Sequence, residues 1–240
     1  MKYLVSLSGG KDSTALLHWT LQRRSKLDIV PFYIDTEWEH PSTYEYLDYL
    51  DELFDIKIVR LKNKMGFEEL CKHEKMIPSF HAKFCTRILK MERSNDFVNS
   101  FDESVVVMTG VRRDESEKRK DEQSHKVVNG IKYIQPLAYW STQEVYDYLT
   151  INSIKLNPLY LKGFSRVGCY PCIFANQKDI GALEQWAVDK VVKLENDVSE
   201  IADIKVTFFK DMKMETKKSK AYNSLGLDLG CINPYGACGT

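Results

Sequence analysis

Ser6-Leu7-Ser8-Gly9-Gly10-Lys11-Asp12-Ser13 is the stretch whose reading decides the fold. It follows a short apolar run (Tyr3, Leu4, Val5, Leu7) that reads as a strand. It precedes Thr14-Ala15-Leu16-Leu17, which reads as a helix start. A strand, a glycine turn and a helix aim free backbone N–H groups and the positive end of a helix dipole at one point. An anion, most simply phosphate, fits there. Gly9 and Gly10 lack Cβ atoms, so the backbone can approach phosphate closely. Lys11 adds a mobile charge, and Ser8 and Ser13 add hydroxyl donors. Asp12 is the odd member of such a cradle, and a carboxylate beside phosphates implies a bridging divalent cation such as Mg²⁺. The bland alternative is an ordinary strand–turn–helix corner.

The chain has 240 residues, enough for one sizeable core or a core with a smaller appendage. Its 34 basic and 34 acidic residues cancel, so any nucleic-acid contact would need a local patch. No signal peptide or membrane span is legible, which leads us to expect a cytoplasmic protein with reduced thiols. Six cysteines then point to metal or chemistry rather than disulfides.

Apolar β-rich runs alternate with helical patterns. Strands are expected at Leu27–Ile34, Ile56–Leu61, Ser104–Thr109 and Tyr133–Leu137, after the first at residues 3–7. Helices are expected from Pro41, over Phe67–His73 and Thr86–Val98, from the capping box Ser141-Thr-Gln-Glu144, and over Ile180–Ala202. This alternation predicts an α/β fold with a five-stranded parallel sheet covered on both faces. Ligands of such sheets sit beyond the carboxyl ends of the strands, where Ser8, Asp35 and Gly110 would converge. Composition changes after about residue 155, giving an expected nucleotide-binding unit over 1–154 and a cysteine-containing region over 155–240.

Four further segments carry chemistry. Asp35-Thr-Glu-Trp-Glu39 follows the second strand as either a ligand-facing acidic group or a plain helix entry. Arg112, Arg113 and Arg119 follow the fourth strand at Gly110. They read either as bidentate clamps for phosphate or sulfate or as a solvated mixed-charge loop. Cys85 lies near a helix start beside Arg87, a setting that favours thiolate. Cys169-Tyr-Pro-Cys172 has the spacing of metal thiolate ligands, and Cys231 and Cys238 add two thiols beside turn residues. Four ligands are available among Cys85, Cys169, Cys172, Cys231 and Cys238, whereas Cys71 reads as structural. All-thiolate sites hold zinc or an iron–sulfur cluster. The lysine-rich stretch Lys205–Lys220 reads as a solvated face.

Ser-Gly-Gly-Lys-Asp-Ser resembles the pyrophosphate loop of ATP pyrophosphatases, which split ATP between its α and β phosphates, and is not a Walker A loop. Gly110-x-Arg-x-x-Glu-Ser-x-x-Arg119 resembles the arginine motif of the PAPS reductase family. Asp35-Thr-x-x-Glu39 is similar to a segment in relatives of the sulfonucleotide reductases. Arg166-x-Gly-Cys-x-x-Cys172 resembles the cluster motif of the PAPS reductase family and its DndC-like phosphorothioation relatives. Cys85 matches the second member of a Cys-Cys pair in iron–sulfur reductases, with Phe84 in place of the first. The resemblance implies an adenine nucleotide alpha hydrolase-like fold and a [4Fe–4S] cluster, with Zn²⁺ as the alternative. The nucleotide (ATP, or PAPS/APS) would then be held by Ser6, Ser8, Gly9, Gly10, Lys11, Asp12, Ser13, Asp35, Gly110, Arg112, Arg113 and Arg119. Lys11, Asp12, Cys85 and Arg112 would be catalytic.

Three functions follow as expectations. The first is ATP cleavage to AMP and pyrophosphate with sulfur transfer to an acceptor, served by a sulfur donor protein and a small-molecule or nucleic-acid acceptor. The second is PAPS or APS reduction. Against it, neither Cys231 nor Cys238 sits in the Glu-Cys-Gly-x-His motif of such reductases, and their loop usually departs from Ser-Gly-Gly-Lys-Asp-Ser. The third is a nucleotide-binding module with a structural metal clip.

Overall fold

Lys2–Leu7 (β1) lies in the middle of the sheet because it is apolar on both faces. Val5 and Leu7 enter one core and Leu4 the other, the period of two that a strand imposes. The computed structural model describes residues 1–209. β1 pairs in parallel with Ile29–Asp35 (β2) on one side and Val105–Met108 (β4) on the other. Val59–Lys62 (β3) extends the sheet beyond β2, and Ile131–Ile134 (β6) extends it beyond β4, both in parallel. His125–Val128 (β5) closes the edge antiparallel to β6, giving the order β3-β2-β1-β4-β6-β5.

The expected five-stranded sheet therefore gains a sixth strand. All four residues of β5 are exposed, so it lacks the apolar alternation that marks a strand in sequence. Its signal is the turn Asn129-Gly130, where both residues have positive φ (+50° and +78°), as tight hairpins demand.

Helices cover both faces. Lys11–Leu21 (α1), Pro41–Phe54 (α2) and Thr142–Ile151 (α5) enclose one core around Val5, Leu16, Leu47 and Val145. Pro41 opens α2, where His40 accepts a bond from the Ser42 N–H (3.0 Å). The capping box at Ser141 and Glu144 is formed in both directions. The opposite face packs Leu4, Phe32 and Val107 against Val98 of Arg93–Asn99 (α4).

Two expected helices are modified. Thr86–Val98 resolves into a π-helical stretch, Cys85–Glu92, followed by α4. Ile180–Ala202 splits into Gln177–Gly181 (α7) and Gln185–Ala202 (α8). A third core gathers Trp38, Phe67 and Leu70 of Phe67–His73 (α3), Leu159 of Pro158–Leu161 (α6), and Val188, Val191 and Leu194 of α8. Cys231 and Cys238 lie outside the described residues, as does most of Lys205–Lys220. Among the described residues no helix is long and apolar enough to cross a membrane.

Glu184 closes this third layer just before α8. Its carboxylate accepts from Lys162 Nζ (2.5 Å) and from Trp186 Nε1, and it faces His40 Nε2 (3.4 Å). Its N–H donates to Tyr170 Oη (3.2 Å). Lys162 holds the Glu184 carboxyl down at about 2.

Gly110 is where the β4 turn meets the loop after β1. A Cβ there would lie 3.0 Å from the Asp12 carbonyl carbon and oxygen. Gly110→Ala is expected to destabilise by about 1–3 kcal/mol in urea unfolding. Gly168→Ala, where nothing lies within 4 Å, is expected to stay within about 0.5 kcal/mol. Glu184 has a depressed pKa, so its contribution is complete above its unfolded value of 4.5 and disappears as pH falls through about 2. The unfolding midpoint of wild type is expected to exceed that of Glu184→Gln above pH 4.5. The two curves should converge on acidification over that window.

Candidate functional site

α1 begins at Gly10 with no side-chain cap, so the first amides of the helix face the end of β1. Gly9 holds φ +73°, and a Cβ there would meet Thr43 Cγ2 at 2.8 Å. The loop amides are met by hydroxyls rather than by carbonyls. Ser8 N–H donates to Ser13 Oγ (3.1 Å), Gly10 N–H to Ser8 Oγ (3.4 Å) and Lys11 N–H to Tyr160 Oη (3.0 Å). Asn157 Nδ2 donates to the Gly9 carbonyl (3.1 Å). These contacts form a ring of exchangeable donors of the kind that anion cradles use.

The charges inside the loop are paired. Lys11 Nζ lies 3.0 Å from Asp12 Oδ2 and sits near the rings of Tyr146 (5.7 Å) and Tyr160 (5.6 Å). Asp12 Oδ1 accepts from Arg112 Nε at 2.5 Å. Arg112, only 2% exposed, also donates to the Trp140 carbonyl (3.1 Å), Thr142 Oγ1 (3.1 Å) and Asp114 Oδ2 (3.3 Å). Its donors are thus spent on fixing Asp12 and the start of α5. Both Asp12 oxygens have cationic partners, an arrangement that does not fit a resident divalent cation on this carboxylate.

The other expected site residues divide. Arg113 points away, donating to the Glu122 carbonyl (2.9 Å) and stacking 4.4 Å from the Tyr139 ring. Arg119 pairs with Glu115 and feels the charge of Arg166. Burial lowers the Arg119 pKa, and Arg166 adds to that shift. Asp35 is buried, accepting from Tyr44 Oη and Glu37 N–H (both 2.8 Å), with Lys62 Nζ at 3.5 Å. It serves the β2 terminus rather than the loop.

The cysteine segment docks against that terminus. Glu39 and Cys169 form a backbone bridge, Tyr170 N–H donates to the Trp38 carbonyl (2.7 Å), and Trp38 Nε1 donates to the Pro171 carbonyl (2.9 Å). Burial pushes the Cys85 and Cys172 thiols up, and the neighbouring Cys169 adds to both shifts. Cys169 beside it raises the Lys90 ammonium. Cys71 is fully buried among Phe67, Leu70 and Ile77, a structural position. Among the described residues no group of three or more His, Cys, Asp or Glu side chains is placed to hold a metal ion.

One cleft of about 880 Å³ collects these parts. Ser6, Ser8, Gly10–Ser13, Gly110, Arg112, Arg119, Cys169 and Cys172 line it, together with Tyr146, Tyr160 and Arg166. A second cleft of about 530 Å³ shares Ser6, Leu7, Ser8, Lys90 and Gly168 with it and runs between α4 and the β5–β6 hairpin. Tyr33 lines that second cleft with a buried hydroxyl that has no hydrogen-bond partner among the described residues. Glu39 lines it too, its carboxyl raised by burial despite bonds from Thr36 Oγ1 (2.6 Å) and Trp38 N–H (3.0 Å). Tyr33, Lys90, Tyr146 and Tyr160 escape a motif reading. Arg166 heads the Arg-x-Gly-Cys-x-x-Cys motif, whereas the tyrosines carry no spacing signal.

Residues 2–175 match the family described as Phosphoadenosine phosphosulfate reductase domain. An uncharacterized protein of Methanocaldococcus jannaschii is 30% identical over 207 residues, covering 83% of this chain and 42% of that protein. The adenosine 5′-phosphosulfate reductase of Salinibacter ruber is 31% identical over 166 residues, covering 68% of this chain and 64% of the relative. The chain therefore spans less than two thirds of either curated relative. The crystal structure of a PAPS reductase from Candida auris in a phosphate complex superposes with a TM-score of 0.59 at 20% identity, covering 72% of this chain and 83% of that one. That likeness is one of fold.

Replacing Arg112 by Met would leave the Asp12 carboxylate and the Trp140 carbonyl short of a donor. The expected cost is about 3–5 kcal/mol in urea unfolding. Asp12→Asn in the same background should recover part of it, giving a measurable coupling in a double-mutant cycle.

Proposed function

Because the chain belongs to the phosphoadenosine phosphosulfate reductase family, we propose that it binds an adenine nucleotide and cleaves it at the α-phosphate in support of sulfur transfer. The observation that carries this reading is a single cleft lined by the Ser8–Ser13 loop, Lys11 and the cysteine segment. The phosphates of ATP lie on the loop amides. The nucleoside runs past Ser6–Ser8 towards the second cleft, where the Tyr33 hydroxyl gains the partner it lacks. An acceptor oxygen attacks the α-phosphorus, the bond to the bridging oxygen breaks, and pyrophosphate leaves. Lys11 and the α1 N-terminus offset the charge that develops on it. AMP is then displaced from the adenylated acceptor by a sulfur nucleophile.

Lys11 can turn from Asp12 to phosphate at little cost, since both partners remain in the same cleft. Arg112 stays on Asp12 and keeps the loop in shape. Cys169 and Cys172 line the cleft, but among the described residues they are not grouped with Cys85 to hold a metal ion, so a thiolate-bound [4Fe–4S] or Zn²⁺ centre takes no part in these steps.

A second reading, reduction of APS or PAPS, is favoured by Arg119 and Arg166 standing near Cys172 on the cleft wall. There a thiolate attacks the sulfate sulfur, the nucleotide departs leaving a Cys-S-sulfonate, and an added dithiol reductant then displaces sulfite as a disulfide forms.

The two separate by product. Anaerobically purified protein given ATP is expected to release pyrophosphate, and Lys11→Ala should reduce the rate by about 10²-fold, as loss of a single transition-state charge does. Sulfite from APS or PAPS with no pyrophosphate from ATP would select the second reading.

A further inference from the structure

The anion cradle is already occupied by a residue from far along the chain. Tyr160 accepts the Lys11 N–H at 3.0 Å, and its oxygen lies 3.2 Å from where a Gly10 Cβ would stand. Ser8 and Ser13 meet the other two bonded loop amides from within the loop, but Tyr160 comes from α6. Its ring lies 5.6 Å from Lys11 Nζ and contacts Tyr146 edge-on at 6.3 Å. Three residues earlier, Asn157 is fully buried and donates to the Gly9 carbonyl on the underside of the same loop. One turn of chain thus supports the loop with one residue and fills it with another.

We infer that Tyr160 is a displaceable stand-in for a phosphate oxygen and so sets how tightly the cradle takes its anion. An amide donates one strong hydrogen bond, and the Lys11 N–H already points at the hydroxyl. A phosphate oxygen can take that amide only after Tyr160 Oη leaves. The hydroxyl satisfies the uncapped helix end when no anion is bound, and the anion must displace it. The segment that carries it continues to Val167, which touches the loop, and on to Cys169. This inference rests on the loop being the phosphate site.

The test is calorimetric titration of the full chain with inorganic pyrophosphate. Tyr160→Phe keeps the ring and removes the competing oxygen. It is expected to tighten pyrophosphate about 2- to 10-fold, the range of one neutral hydrogen bond, while lowering the thermal midpoint of the free protein. Tyr160→Leu should show the same sign should the phenylalanine variant not fold. Asn157→Ala, which removes support beneath the loop, is expected to weaken pyrophosphate. A purely structural role for α6 would make all these variants weaker binders. Unchanged or weaker binding by Tyr160→Phe, with wild type binding normally, overturns the Tyr160 inference alone. No binding by wild type overturns the phosphate reading beneath it.

Discussion

An α-helix that starts without a side-chain cap leaves amides that must be satisfied by something, and this constraint organises the molecule. α1 starts at Gly10 with no such cap. The corner can be that open only because Gly9 takes a left-handed φ against Thr43 and because Gly110 lets the neighbouring turn close on Asp12. Hydroxyls from Ser8, Ser13 and Tyr160 meet the exposed amides. The β4 turn and α6 meet this corner directly, while the cysteine segment docks on the β2 terminus beside it.

Charge balance is the second consequence. Lys11 and Arg112 flank Asp12, and Arg112 in turn touches Asp114. The loop end of the cleft is therefore close to neutral, and the positive potential left there comes from amides and the helix dipole. A buried arginine with four acceptors is costly to disturb, because breaking such a pair strands a charge away from water. Rigidity on the Arg112 side and exchangeability on the Lys11 and Tyr160 side suit a loop that must hold its shape while it trades partners.

Local patterns showed through the sequence where one feature dominated. The glycine corner, the Pro41 entry, Phe67–His73 and the Ser141 capping box each have a single strong chemical cause. β5 was hidden because neither of its faces is buried. The π-helical Cys85–Glu92 stretch shares apolar spacing with an α-helix. At the site, residue type located the loop and the Cys169–Cys172 segment, but it did not distinguish an arginine that grips a ligand from one that braces a carboxylate. That difference depends on side-chain direction, which sends Arg112 to Asp12 and Arg113 to Tyr139. Tyr33 and Tyr160 matter through one oxygen each, placed by the tertiary fold.

The most direct test of the loop's role is a crystal structure of the protein with a non-hydrolysable ATP analogue. Phosphate density within hydrogen-bond reach of the Gly9–Ser13 amides, with Lys11 turned from Asp12 towards it, is the expected result. A nucleotide whose phosphates lie elsewhere in the cleft, with the loop amides still bonded to Ser13, Ser8 and Tyr160, contradicts it.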